Sequence, residues 1–140
     1  SPKGIYLSNF VPWDGNANSK LASELYGFET GDTPFERTYR RASNLDDMHE
    51  NGAHDYLKFV KFGYGRCTDH ASKDIRSGEM TREKGIELVR RYDPIKPSDI
   101  KRWLEYVGMR EQDFDAIADT FRDPRVWWYD GGWKRHDIES

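Results

Sequence analysis

Residues 53–78 read AHDYLKFVKFGYGRCTDHASKDIRSG, and this stretch sets the pattern of the chain. Four apolar residues recur at i, i+3, i+4 and i+7, the stripe of an amphipathic helix: Ala53, Tyr56, Leu57 and Val60. Gly63 follows the stripe and is placed to end that helix. Thr68 is a good residue to start the next one, which Gly78 ends. The stretch predicts two helices joined by a glycine-bearing loop.

Similar start and stop signals recur along the rest of the chain. The predicted starts are Asn16, Asn18 or Ser19 for the first helix, then Thr81 and Ser98 for later ones. The predicted ends are Gly27, the Asp93–Pro94 pair, Gly108 and Pro124. A last helix is marked by Phe114, Ile117, Ala118 and Phe121. The fold class predicted is mainly α, an irregular bundle of about five to six short helices.

The two ends of the chain differ from this helical body. Ile5, Tyr6 and Leu7 form a short β-type run, predicted as an N-terminal strand or an extended arm left from an upstream α/β nucleotide domain. Residues 125–140, RVWWYDGGWKRHDIES, hold three of the five Trp residues and suggest a docked tail. Its tryptophans either pack on the core or stack against a sugar or a partner. A polar stretch over 29–44 predicts domains at 1–43 and 44–140.

Composition excludes several classes of protein. A chain of 140 residues suits one domain, or a domain plus a fragment. Charged residues make up 34% and the mean hydropathy is −0.97, so no stretch approaches the roughly 20 apolar residues of a membrane span. The net charge of −3 gives no basic excess for non-specific nucleic-acid binding. A single cysteine excludes an internal disulfide and favours a cytoplasmic location.

The loop at residues 61–68 is the first candidate site. Gly63 and Gly65 allow backbone N–H groups to turn toward one point, and the start of the following helix adds partial positive charge. With Lys61 and Arg66 beside it, the loop is typical of an anion cradle for phosphate or pyrophosphate. The alternative is an interhelical turn whose basic residues pair with nearby aspartates.

Histidine spacing argues against a metal site. His49 and His54 are five residues apart, about 140° around a helix, so they diverge. The acidic residues nearby, Asp46 and Asp47 among them, do not change this prediction of no metal. His70 has Asp74 one turn later and is the first candidate for an oriented general acid or base.

Residues 54–93, preceded by NLDDMHENGA, resemble the C-terminal part of the N-acetyl sugar amidotransferases of bacterial lipopolysaccharide and O-antigen biosynthesis. The resemblance extends to most of the chain and weakens in the Trp-rich tail. It implies a member of the ATP-pyrophosphatase superfamily, which adenylylates the amide oxygen of an N-acetyl group before ammonia displaces AMP to leave an acetamidino group. The superfamily's SGGxDS phosphate loop is absent from this sequence, so we expect a C-terminal portion of a longer enzyme that is inactive by itself.

The resemblance also assigns roles to residues of the signature KFGYGR-x-TDHAS-x-DIR. His70 and Asp69 are the expected catalytic pair, which would orient the amide or move protons as ammonia adds. The expected substrate and phosphate ligands are Lys61, Gly63, Tyr64, Gly65, Arg66, Thr68, Asp74 and Arg76. Tyr64 would stack on sugar or base, while Asp74 and Arg76 would hold His70 and the loop in place.

The same resemblance implies cofactors and partners. ATP and Mg²⁺ would serve the full-length enzyme, with none expected on this portion alone. The partners would be an N-acetylated sugar or nucleotide sugar and a glutaminase subunit that supplies ammonia. One alternative is a non-catalytic helical module that docks a partner protein through the Trp-rich tail. The other, a nucleic-acid-binding module, would use a set of basic residues interleaved with tyrosines: Arg37, Arg40, Arg41, Lys61, Arg66, Arg90 and Arg91.

Overall fold

The fold is mainly α-helical, as the sequence predicts. The computed structural model describes residues 2–43 and 51–138, and within them lie six α-helices and one two-stranded sheet. The helices are α1 (Gly15–Tyr26), α2 (Asn51–Phe62), α3 (Arg66–Arg76), α4 (Arg82–Tyr92), α5 (Ile100–Val107) and α6 (Glu111–Asp119). The strands are β1 (Trp127–Tyr129) and β2 (Trp133–Arg135). The predicted residues Asp46, Asp47 and His49 lie outside the described ranges.

Two compact units make up the chain, Ser1–Gly31 and Asp32–Ser140. The first contains a short 3₁₀-helix at Leu7–Asn9 and α1, and neither element has a buried residue. Of the strand and the extended arm predicted at Ile5, the structure shows no strand: residues 2–6 belong to no helix or strand, which leaves the extended arm, and Leu7 is already in the 3₁₀-helix. An isolated run of three apolar residues has no neighbouring strand to accept its backbone hydrogen bonds within the described residues. That residues 1–43 end a nucleotide domain stays a prediction.

Most helix ends follow the predicted signals, whereas several starts shift. Gly27 and Gly108 end α1 and α5 in the left-handed conformation, and the Thr81 hydroxyl accepts a hydrogen bond from Lys84 N as the cap of α4. Asp14, not one of the predicted residues, caps α1. The predicted starts at Thr68 and Ser98 are also wrong. The N-cap residues of α3 and α5 are Gly65 and Asp99, and the side chains of Thr68 and Ser98 bond elsewhere.

The second unit has two apolar clusters. The first lies between α2, α5 and α6 and consists of Ala53, Val60, Ile100, Leu104, Phe114 and Ala118. The second lies between α3 and α4 and consists of Cys67, Ala71, Leu88 and Val89. The predicted stripe of α2 therefore does face a core, because its buried members Ala53 and Val60 stand seven residues apart on one side of the helix.

The Trp-rich tail forms an antiparallel hairpin. Trp127 pairs with Arg135, and Tyr129 pairs with Trp133. Trp127 is buried and meets the ring of Phe59 of α2 edge-on at 5.3 Å between centroids. The tail is thus docked on the helical body by Trp127, while Trp128 and Trp133 stay about 40% exposed. No helix in the described part of the chain is long and apolar enough to cross a bilayer.

Candidate functional site

The glycine loop between α2 and α3 surrounds a carboxylate of its own chain. Asp93, at the end of α4, is fully buried. Its oxygens accept hydrogen bonds from Gly65 N (2.8 Å), Cys67 N (3.0 Å) and Thr68 Oγ1 (2.6 Å). A Cβ on Gly65 would lie 2.7 Å from Asp93 Oδ1, so only glycine fits there. The donors predicted to cradle a phosphate are therefore engaged by Asp93.

The glycine at the other side of the loop is required for a different reason. Gly63 has a φ of 77°, in the left-handed region that favours glycine. A Cβ there would also lie 2.5 Å from Val126 Cγ1. The loop is consequently held between the start of the hairpin segment and the end of α4.

Three of the predicted ligands are exposed side chains. The Lys61 ammonium lies 5.0 Å from the centre of the Phe62 ring. Tyr64 is 42% exposed, and the Lys58 ammonium lies over its ring at 4.7 Å. Arg76 is exposed in the last turn of α3. Lys61, Tyr64 and Arg76 thus lie at the surface, in contrast to Gly65 and Thr68.

His70 is buried and neutral. Only 2% of the residue is exposed, and its Nδ1 lies 2.7 Å from Thr38 Oγ1. The Tyr39 ring meets the imidazole edge-on. Burial, followed by the positive charges of Arg40, Arg66 and Lys73, lowers the pKa of His70 to about 4. The imidazole is therefore a hydrogen-bonding partner inside the unit rather than a cation at neutral pH.

The two predicted aspartates of α3 hold ion pairs. Asp69 Oδ2 accepts from Lys58 Nζ at 2.5 Å, which links α3 to α2. Asp74 is buried and accepts from the Tyr39 hydroxyl and the Arg40 guanidinium. Through Asp74 and His70, α3 fixes the segment at residues 38–40.

Arg66 extends from the first turn of α3 to α2. Its Nε and Nη2 donate to the two oxygens of Asp55 at 2.9 and 2.8 Å, a bidentate pair in which Asp55 is only 4% exposed. Arg66 and Asp55 form part of the wall of a cavity of about 220 Å³. The other charged residues of that wall are Glu36, Arg37 and Asp99. Arg66 is thus the predicted ligand that the structure places at a cavity.

The wall of this cavity contains polar atoms without partners. Arg37 is 4% exposed, and its Nη2 donates to the backbone carbonyl of Asp93. Within residues 2–43 and 51–138, neither Arg37 Nε nor Arg37 Nη1 has a hydrogen-bond partner, and the same holds for Ser43 Oγ and Asp99 Oδ1. Burial raises the pKa of Asp99. Burial also lowers the pKa of Arg37, and the nearby Asp93 carboxylate partly offsets that lowering.

Sequence reasoning did not single out this cavity. Asp93 was read as the end of a helix, and Asp55 and Asp99 received no ligand role. Arg37 stands 56 residues from Asp93 and 62 residues separate Glu36 from its partner Ser98, so no local spacing signals these contacts. The described residues contain no group of three or more His, Cys, Asp or Glu side chains that could hold a metal ion.

The matched family gives this site its biological setting. A family model described as the C-terminal domain of WbpG-like LPS biosynthesis proteins matches residues 33–138. The match covers most of the chain, so the chain belongs to this family. No individual curated protein matches at a significant level. The matched range contains the glycine loop, Asp93 and the cavity. The predicted role in lipopolysaccharide biosynthesis is thereby supported, and the amidotransferase activity stays a prediction.

Proposed function

We propose that this chain is the C-terminal, substrate-binding portion of an enzyme that converts an N-acetyl group of a sugar or nucleotide sugar to an acetamidino group. The reaction uses ATP, and its ammonia comes from a partner glutaminase in the cytoplasm. The observation that carries the proposal is the match over residues 33–138 to a lipopolysaccharide biosynthesis family. A cavity lies inside that range, and residues of its wall have polar atoms with no partner among the described residues, which supports a role in binding the substrate.

The described residues do not fit ATP and Mg²⁺. The backbone donors of the glycine loop already bind Asp93, and the cavity wall has three carboxylates, Glu36, Asp55 and Asp99, against two guanidinium groups. A triphosphate would meet net negative charge there. ATP would activate the amide oxygen of the N-acetyl group, and we propose that a part of the full-length enzyme other than this chain binds it.

The expected roles of the signature residues take a more specific form. The resemblance implies His70 and Asp69 as a catalytic pair; because His70 is buried against Thr38, we propose for it a positioning role through the segment at 38–40. Arg66 lines the cavity and holds Asp55, so it orients a wall of the site. Gly65 and Thr68 act by holding Asp93, which ties α3 to α4.

The test is amidine formation by an enzyme that contains this chain. The purified enzyme is given ATP, Mg²⁺, ammonium and an N-acetylated nucleotide sugar, and mass spectrometry looks for replacement of the amide oxygen by NH. Arg66→Ala should lower the rate about 100-fold or more, because a misplaced wall of the site costs that much. Arg66→Lys keeps the charge but loses the bidentate pair, so its rate should lie between those of the parent enzyme and Arg66→Ala.

The matched control is Arg110→Ala, since Arg110 forms an exposed ion pair with Asp113. It should leave the rate unchanged. Absence of any amidine product from the parent enzyme contradicts the proposed reaction. Full activity of both Arg66 variants contradicts the role given to Arg66.

A docking role for the tail is the second candidate, because Trp128, Tyr129 and Trp133 are 42%, 68% and 40% exposed. Aromatic side chains of this kind often anchor protein interfaces. If the hairpin binds the glutaminase, Trp128→Ala should reduce glutamine-dependent amidine formation and leave ammonium-dependent formation intact. Equal loss with both nitrogen sources contradicts docking through this hairpin.

A further inference from the structure

We propose that the cavity beside Arg37 binds a single neutral sugar ring with its N-acetyl group, and that it does not bind the phosphates of the substrate. The residues that define it are Phe35, Arg37, Ser43 and Asp99. The biological identity of the ligand rests on the function proposed above. The binding itself follows from the hydrogen-bonding capacity, the charge and the size of the cavity.

Unpartnered polar atoms are the first line of support. Buried polar groups in folded proteins nearly always have a hydrogen-bond partner, and leaving one unpaired destabilises the protein. Here three residues of one wall have such atoms: two guanidinium nitrogens of Arg37, the Ser43 hydroxyl and Asp99 Oδ1, none of which has a partner in the described ranges. The set contains donors, an acceptor and a hydroxyl that can be either. A ligand that has both donors and acceptors is of the kind that pairs with such a set.

The charges of the wall disfavour an anionic ligand. Arg66 is paired with Asp55, and Glu36 accepts hydrogen bonds from the backbone and hydroxyl of Ser98. Arg37 faces the carbonyl of Asp93 and is close to the carboxylates of Asp93 and Asp55. The positive charges are thus already balanced, and Asp99 adds a carboxylate that would repel a phosphate. Sugar hydroxyls donate to Asp99, and ring, hydroxyl or acetamido oxygens accept from Arg37.

The size and apolar surface of the cavity fit the same ligand. Pockets that enclose drug-sized molecules measure about 300–1,000 Å³, so about 220 Å³ suits one sugar ring rather than an entire nucleotide sugar. Phe35 is 39% exposed and Pro97 is a buried neighbour in the wall. They supply apolar surface for the C–H face of a ring or for the methyl of an acetamido group.

The experiment measures binding to the 140-residue chain by ligand-observed and amide-resolved NMR. The probes are N-acetylglucosamine, glucosamine and inorganic pyrophosphate, each tested separately. We expect saturable binding of N-acetylglucosamine, weaker binding of glucosamine because it lacks the acetyl group, and no binding of pyrophosphate at the same site. The amide spectrum also reports that the chain is folded.

Two conservative variants test the assignment of residues. Ser43→Ala removes one hydroxyl, and Asp99→Asn keeps the shape of the side chain while removing its charge. Each should weaken N-acetylglucosamine binding about tenfold, because Ser43→Ala removes one hydrogen bond and Asp99→Asn replaces one acceptor oxygen by an amide nitrogen that only donates. The control Asp130→Asn, whose Asp130 side chain is 69% exposed and paired with Lys134, should bind like the parent chain.

The outcomes separate this inference from the proposed reaction. If both variants weaken sugar binding but the enzyme makes no amidine, the binding site in the cavity is supported and the amidotransferase reaction is contradicted. Amidine formation that neither variant affects contradicts the cavity while the proposed reaction stands. Pyrophosphate that binds and displaces the sugar, or no sugar binding by the folded chain, overturns the inference.

Discussion

The glycine loop and the Arg37 cavity are both polar regions of the same helical unit, and they differ in how their hydrogen bonds are completed. In the loop, Gly65 N, Cys67 N and the Thr68 hydroxyl all bind the Asp93 carboxylate. In the cavity, Arg37, Ser43 and Asp99 each have an atom without a partner in the described residues. A completed set of bonds stabilises the fold, whereas an incomplete set is free to bind a ligand.

The sequence favours the glycine loop as the binding site, whereas the structure favours the Arg37 cavity. The loop has the glycines and the helix start that are typical of an anion site, yet its donors bind Asp93 and so connect the start of α3 to the end of α4. The cavity has no motif, and Arg37 comes from a polar stretch predicted to be a boundary. Substitutions in the loop should therefore change stability most, and substitutions in the cavity should change binding most.

The largest effect on stability is expected from Asp93→Ala. The substitution leaves three buried donors without an acceptor, at about 1–3 kcal/mol each. Because small domains are stable by only about 5–15 kcal/mol, the second unit should be largely unfolded or close to it. Urea unfolding followed by circular dichroism measures this, with Asp113→Ala at the exposed Arg110 pair as the control. A parent-like unfolding curve for Asp93→Ala breaks the comparison, because the loop would not depend on its carboxylate.

A pH-dependent loss is expected from His70. Its pKa is about 4 in the folded chain against 6.5 for an unperturbed histidine, so the unfolded state binds the proton more readily. Stability from neutral His70 is fully present above about pH 6.5 and decreases as the pH falls toward 4, by up to about 3 kcal/mol.

His70→Gln is the comparison that isolates this group. It keeps a polar partner for Thr38 but does not titrate. Between pH 7 and pH 4.5 the parent chain should lose more stability than the variant, since carboxylate effects are common to both. Identical pH profiles of thermal unfolding contradict the buried, neutral state of His70.

The smallest effects come from a matched pair of hydroxyl removals. Thr68→Val deletes a hydrogen bond to the Asp93 carboxylate and should cost about 1.5–3 kcal/mol. Ser43→Ala deletes a hydroxyl that has no partner among the described residues and should change the unfolding free energy by less than about 0.5 kcal/mol. Chemical denaturation of both variants sharpens the comparison. A larger loss for Ser43→Ala than for Thr68→Val would contradict the distinction between the two regions.

How far the sequence predicts the structure depends on the range of the interaction. Helix ends at Gly27, Gly63 and Gly108 follow from local backbone preferences, and the structure confirms them. The start of α3 was misplaced because Thr68 looks like a cap, yet its hydroxyl donates to a carboxylate 25 residues away. Of the strand and the extended arm predicted at Ile5, the strand does not form within the described residues, because a strand needs a partner that no single segment reveals.

The candidate site was predicted only in part, for the same reason. The glycine-loop pattern and the resemblance both led to Arg66, which does line the cavity. The sequence could not place Arg37 and Asp99 there, because they are 62 residues apart and neither belongs to a motif that predicts a binding site. The tail was predicted to dock, and its hairpin pairing was not, because three-residue strands leave a weak pattern.

The sequence by itself determined a mainly α fold, the positions of most helix ends and a resemblance to lipopolysaccharide biosynthesis enzymes, because periodicity, glycine stops and motif spacing are local properties of a chain. Only the tertiary structure decided which polar residues are satisfied. It brought Asp93 to the glycine loop and left Arg37, Ser43 and Asp99 around a cavity. Hydrogen-bond satisfaction depends on which segments meet in space, and that information is absent from the spacing of residues along the chain.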